Sequence, residues 1–300
     1  MLAVVILALP ASGAAQRAGG YKAMEREAPP ASQPAPSSQP GARPAPAPVA
    51  GRYETVIEAS PMWTQDRNFL GTRLWKRDRG TYGLGFWYRP EFYRDRPSKH
   101  RFQLELEIGL TQRLQLDIYE NVTFNKDGPD GGRTFSHQGI ALELRIAIPK
   151  RYGTIWGNPV VYLEYVSNHD APDKAEAKLL LGGELFTPRL LGVINLVFEC
   201  LVNKLRGEPY KGEPEFGLTA AASYEVMRQH LRLGAEARLI FESGTFGAVR
   251  RGDVETLLLL GPNVAWHVVG RHLKLYATMF FGVTEAAPRY APWVILATSW

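Results

Sequence analysis

The 300-residue chain carries 35 Lys and Arg against 30 Asp and Glu, a formal charge of +5, with 45% hydrophobic and 22% charged residues. From residue 20 onward no stretch of ~18 uncharged apolar residues occurs, which excludes a membrane-spanning helix. Two classes survive: a large water-soluble β protein, or a membrane barrel whose apolar residues are hidden by alternation.

Met1 to Pro10 (MLAVVILALP) is an apolar run of signal-peptide length, and the small residues Ala11 to Ala15 follow it. Gly13-Ala14-Ala15 fits a small-x-small cleavage site, so residues 1–15 are expected to be an export signal, with the true start upstream as an open alternative. An exported chain seldom meets nucleic acid, so the basic balance points to loops beside lipid phosphates, lipopolysaccharide included. The single cysteine, Cys200, allows no intramolecular disulfide. Residues 16–50 are rich in Pro and Ala, cannot bury a core, and read as a disordered periplasmic linker. Residues 51–79 hold Trp63 and Trp75 without a period-2 run. They are expected to form either a periplasmic lead-in or an inward-folded plug.

From about residue 80 the pattern changes. Phe102, Leu104, Leu106, Ile108 and Leu110 alternate with Gln103, Glu105, Glu107 and Gly109, and side chains of a strand point to opposite faces with period 2. The same alternation recurs along 114–119, 140–148, 231–241 and 273–283. It predicts twelve strands, at 81–93, 101–111, 113–124, 135–148, 154–166, 174–186, 191–202, 214–226, 230–242, 254–267, 271–284 and 291–300. Each suffices to cross a bilayer obliquely, which takes ~9–11 tilted residues. The connections alternate in length: long and polar at 94–100, 125–134, 167–174, 203–213, 242–253 and 284–290, short at 111–113, 149–153, 187–189, 227–230 and 269–271. Tight turns at one end and longer loops at the other characterise outer-membrane barrels. The expected fold is all-β: a closed antiparallel transmembrane barrel of about twelve strands over 80–300, with both ends in the periplasm. A soluble all-β fold is the alternative.

The final strand ends on Trp300, and an aromatic there resembles the C-terminal signal read by the barrel-assembly machinery. Glu120 falls on the face assigned to lipid, where a bulge after Tyr119 or a shorter apolar belt would accommodate it. Leu257 and Leu259 place apolar side chains inside.

The rows opposite the apolar ones are expected to line the lumen. They are Glu105, Glu107, Asp117, Glu143, Arg145, Glu164, Glu176, Lys178, Glu184, Asn195, Glu199, Glu215, Arg232, Glu236, Arg238 and Lys274, with acids about twice as numerous as bases. Charge rings set selectivity, so one expectation is a hydrated passage favouring cations or small polar solutes. The other is a closed lumen in which Glu–Arg and Glu–Lys pairs cross-link the wall.

Catalytic readings fare worse. An outer-membrane lipid hydrolase needs Ser and His together near the outer rim; Ser136 and His137 adjoin in a strand and point apart. The histidines lack metal-ligand spacing, and Leu181-Gly182-Gly183 lacks a phosphate-loop context, so no catalytic residue, metal or cofactor is expected.

Glu107-Ile108-Gly109-Leu110-Thr111-Gln112-Arg113-Leu114-Gln115-Leu116, Leu179-Leu180-Leu181-Gly182-Gly183-Glu184 and Leu259-Leu260-Gly261-Pro262-Asn263 resemble a group of outer-membrane barrels. These are transporters of the phenol-degradation meta-pathway type and their relatives. The likeness covers the barrel and not the Pro-rich stretch. It implies a transport role and transfers no catalytic residue.

Overall fold

A computed structural model describes residues 61–95, 97–125, 134–169, 171–202, 214–243, 254–269 and 272–300. The expected export signal at 1–15, the linker at 16–50 and residues 51–60 lie outside them. A four-residue helix α1 (Met62–Gln65) and an extended run precede the strands, and no described helix is long and apolar enough to cross a membrane.

The strands are β1 (Tyr82–Glu91), β2 (Lys99–Gly109), β3 (Leu114–Asn125), β4 (Thr134–Ala147), β5 (Val160–Asn168) and β6 (Lys174–Glu184). They continue as β7 (Leu190–Leu201), β8 (Glu215–Met227), β9 (Leu231–Ser243), β10 (Val254–Val269), β11 (Leu273–Gly282) and β12 (Tyr290–Ser299). Each pairs antiparallel with its neighbour in sequence, and β12 pairs with β1, so the chain is a closed twelve-stranded transmembrane barrel. Closure leaves no edge strand, which a bilayer demands because hydrocarbon cannot hydrogen-bond an open edge. At the seam, the backbone N–H groups of Tyr82 and Trp300 each donate to the other's carbonyl, at 2.9 and 3.2 Å, and the two rings stack.

The alternation sorts by face as the period demands. Leu104, Ile118, Leu142, Leu163, Leu196, Leu218, Leu233, Leu260 and Leu296 stand exposed on the outside. Tyr82, Tyr224, Trp266 and Trp300 sit towards the short-turn end of this apolar belt, and Phe135, Tyr165, Phe216, Phe241 and Phe281 towards the long-loop end. An apolar band between two aromatic girdles is the exterior of a membrane barrel. Cys200 lies in the outward row of β7 and is half-buried.

Two details differ from the periodic reading. The connection between β4 and β5 runs from 148 to 159, because β5 starts at Val160 rather than at residue 154. Gly157 and Asn158 both take positive φ (72° and 43°), which breaks any extended run before Pro159. Asn158 then ties this loop down: its Oδ1 accepts from the Gly153 N–H at 2.5 Å, and its Nδ2 donates to the Gly182 carbonyl at 2.9 Å. The turn end is therefore less uniformly tight than the sequence implied. The second detail concerns Glu120. It does stand outside, but the bulge lies across the ladder, where Asn121 faces Gly139 and Val122 faces His137. Gly139 has φ of 138°, and a Cβ there would collide with the Ser167 carbonyl, so only glycine fits. The bulge turns His137 outward, where its Nε2 lies 3.0 Å from Glu120.

Candidate functional site

Inside the barrel, the run from Trp63 to Arg77 crosses the lumen within the half that carries the short turns. Phe69, Leu70, Leu74 and Trp75 are buried, and so are the polar side chains of Asp66, Arg73, Lys76 and Arg77. The wall holds this run mainly through charge. Arg67 and Arg73 both reach Glu105, and Arg73 is 3.0 Å from Glu107. Arg77 donates from Nε to Glu107 at 2.6 Å, and its backbone N–H donates to Gln115 Oε1 at 2.5 Å. Lys274 pairs with Asp66, and the Trp63 indole donates to Glu225 at 2.7 Å. The backbone N–H groups of Leu70 and Gly71 donate to the two oxygens of Glu236 at 2.8 and 2.7 Å. Asn195 pairs with both backbone groups of Arg73 at 2.8 and 2.9 Å. Burial holds the Lys76 ammonium below the ordinary lysine range against the opposing pull of Asp78, and its Nζ donates to the Arg77 carbonyl at 2.9 Å.

This packing explains the acidic excess on the wall. Glu105, Glu107, Asp117 and Glu143 are matched by Arg67, Arg73 and Arg77 from the inner run and by Arg145 from β4, which is 2.7 Å from Asp117. Buried charges persist only when paired, and three of these four partners come from a segment with no strand pattern. Oxygens of Glu105, Asp117 and Glu143 approach within 4.8 Å of one another, a spacing that could hold a cation. Guanidinium groups of Arg67, Arg73 and Arg145 supply that charge.

The ladder register reveals a further order. Glu107 faces Asp117, which faces Glu143, then Glu164, Glu176, Glu199, Glu215, Glu242 and Glu255, one carboxylate from each strand from β2 to β10. Strands in a barrel are tilted, so this row climbs from near the end of β2, at the short turns, to the start of β10, at the long loops. Like charges directly opposite destabilise a sheet unless cations intervene. Arginines of the inner run serve the lowest steps, Lys178 stands 2.5 Å from Glu176, and Lys174 pairs with Glu199.

Above the inner run, in the long-loop half, lies a cavity of about 540 Å³. Its floor is Arg67, Leu70, Gly71 and Arg73, and its walls carry Arg89, Arg101, Glu164, Glu176, Glu199, Glu215 and Arg238 among others. Between the inner run and the β1–β2–β11–β12 wall there remains a void of only about 10 Å³, roughly one water.

The lumen candidates thus divide into two groups. Glu105, Glu107, Asp117, Arg145, Glu236 and Lys274 are buried against the inner run, with Glu143 between that run and the cavity. Glu164, Glu176, Lys178, Glu199 and Arg238 line the cavity, and Glu184 lies exposed at the short-turn mouth, where it accepts from the Tyr152 hydroxyl at 3.0 Å. Sequence reasoning passed over Asp66, Arg67, Arg73 and Arg77, and also Arg89 and Arg101 of the cavity wall. The last two share the inward parity of Glu91, Gln103 and Glu105 and were legible from it. Ser136 and His137 meet different partners: Ser136 Oγ accepts from Gln138 at 3.1 Å, while His137 serves Glu120.

No protein-family model matches the chain, and no curated protein resembles it significantly. Solved structures do. The COG4313 outer membrane channel from Pseudomonas putida F1 matches at a TM-score of 0.57 with 10% identity, over 81% of this chain and 100% of that one. The NanC porin matches at 0.48 with 9% identity, over 72% and 97%. At such identities the likeness is one of fold, and that fold is the outer-membrane β-barrel.

Proposed function

We propose that the protein is a passive outer-membrane channel for small polar solutes, closed in the described state by residues 61–79. The observation that carries this reading is the row of carboxylates running from mouth to mouth, its lowest steps held by arginines of a segment that is no part of the wall. With that segment displaced, the row leaves a hydrated, acid-rich path that favours cations. The apolar belt suits lipid and lipopolysaccharide, and Trp300 suits recognition by the barrel-assembly machinery. The fold of a known channel adds support to transport without naming the solute.

Planar-bilayer recording tests the proposal. Wild-type protein is expected to give rare, small openings. Arg67→Glu with Arg73→Glu sets like charges against Glu105 and Glu107, and is expected to give frequent steps with a reversal potential shifted towards cations. Absence of steps from this variant at every voltage would overturn the channel reading. That result would instead favour a structural or surface-interaction barrel that does not conduct, a second reading supported by the mutual neutralisation of wall and inner run.

A further inference from the structure

Two arginines of the cavity stand apart from the others. Arg89 projects from β1 and, among the described residues, donates only to neutral amide oxygens, Gln103 Oε1 at 2.7 Å and Asn121 Oδ1 at 3.5 Å. Arg238 packs its guanidinium 4.8 Å from the centre of the Trp293 ring, and Arg89 lies 5.8 Å from the same ring. Among the described residues neither makes an ion pair within 4.0 Å, and the Nε of each is buried with no acceptor. Every arginine of the inner run has a carboxylate in contact; these two, converging on Trp293 at the edge of the cavity, touch none among the described residues, Glu91, Glu176 and Glu236 being near but beyond 4.0 Å. A shielded guanidinium without a counter-charge is costly, and a carboxylate satisfies its fork in bidentate fashion.

Position on the ring supplies the second half. With twelve strands in cyclic order, β1 stands opposite β7. Glu199 of β7 and its ladder neighbour Glu215 of β8, two facing carboxylates of which Glu199 pairs with Lys174, therefore face the Arg89 side across the cavity. Lining charges balance: Arg67, Arg73, Arg89, Lys99, Arg101, Lys174, Lys178 and Arg238 against Glu91, Glu143, Glu164, Glu176, Glu199, Glu215, Glu242 and Glu255. The excess of bases lies on β1 and β2, with Arg89, Lys99 and Arg101 beside Glu91, and the excess of acids on β7 to β10, with Glu199, Glu215, Glu242 and Glu255. Arg238 rises from β9 but carries its guanidinium across to Trp293 of β12, so a cavity neutral in sum offers base and acid at separate places.

We infer that the cavity binds small amphoteric solutes, with the carboxylate on Arg89 and Arg238 and the ammonium towards Glu199 and Glu215. This deepens the channel reading and rests on it for its transport meaning, yet binding is measurable without flux. 6-Aminohexanoate carries the two groups at opposite ends of a chain that such a volume accommodates. Hexanoate lacks its ammonium, and hexylamine lacks its carboxylate.

Titration calorimetry on the detergent-solubilised full chain at neutral pH is expected to show 6-aminohexanoate binding at least about tenfold more tightly than either relative. Arg89→Gln with Arg238→Gln should weaken 6-aminohexanoate and hexanoate about tenfold and leave hexylamine unchanged. Glu199→Gln with Glu215→Gln should do the converse, which guards against a variant that fails to fold. Equal binding of the three probes, no binding of any, or variants that affect all three alike would overturn the assignment. A silent bilayer alongside charge-selective binding would sink the channel and spare the site, and conduction without such binding would do the reverse.

Discussion

Arg73 is the residue on which the hold of the inner run is most cleanly measured. Its guanidinium is 2.8 Å from Glu105, 3.0 Å from Glu107 and 3.8 Å from Asp117, with the side chain nearly buried. Arg73→Met keeps the stem and deletes the charge. Removing one partner of a buried pair costs ~3–5 kcal/mol. Arg67 still serves Glu105 and Arg77 still serves Glu107, so the lower end applies, about 3 kcal/mol. At ~1.4 kcal/mol per decade, release of the run becomes roughly 10²-fold more frequent. Amide exchange read by mass spectrometry on peptides spanning 66–78 should quicken by that factor, with the β4 peptide over 140–147 as the internal reference. Glu105→Gln in the same background should return part of the loss, since it removes the carboxylate left short of cations. The reasoning fails if the inner run does not quicken, or if β4 quickens equally, because the charge would then be stabilising the barrel as a whole.

Three further outcomes are expected. Gly109→Val places a Cβ on the backbone carbonyl of Asp78, so the end of the inner run must shift at an overpacking cost of ~1–3 kcal/mol; faster exchange at 76–80 with little change in the strands is the readout. Glu120→Leu removes a charge from the outer face and should raise barrel stability by about 1 kcal/mol in urea titrations from vesicles; a loss would mean that the pair with His137 is net favourable. Trp300→Ala should cost about 1 kcal/mol through lost stacking on Tyr82, and a double-mutant cycle with Tyr82→Ala that shows no coupling would refute the stacking account.

The wall was legible because its physics is local. Alternation along Phe102 to Leu110 states which side chains face lipid, and turn residues mark where each strand stops. The inner run was not, because what fixes it is non-local: Asp66 meets Lys274, Trp63 meets Glu225, and Arg73 meets Glu105. No periodic signal announces such pairs. One clue was present in the charges, since an inward wall with twice as many acids as bases calls for cations from elsewhere, and residues 67–79 are rich in them. The carboxylate row was hidden for a related reason. Each of its members is visible as an inward residue, but that they lie side by side depends on register, which turn lengths and the bulge at Gly139 decide.

That row also constrains how the barrel can vary. Slipping any one of β2 to β10 by a single residue would turn its carboxylate to the outer face, into hydrocarbon for the steps away from the rims, and bring a leucine or isoleucine into the charged interior. Length changes within the wall are therefore tolerable only in even steps or where a bulge absorbs the odd residue, as at Gly139. Insertions and deletions should accumulate in the connections, and most of all in the long ones. The acids that line the path thus act as well as a reading frame for the sheet.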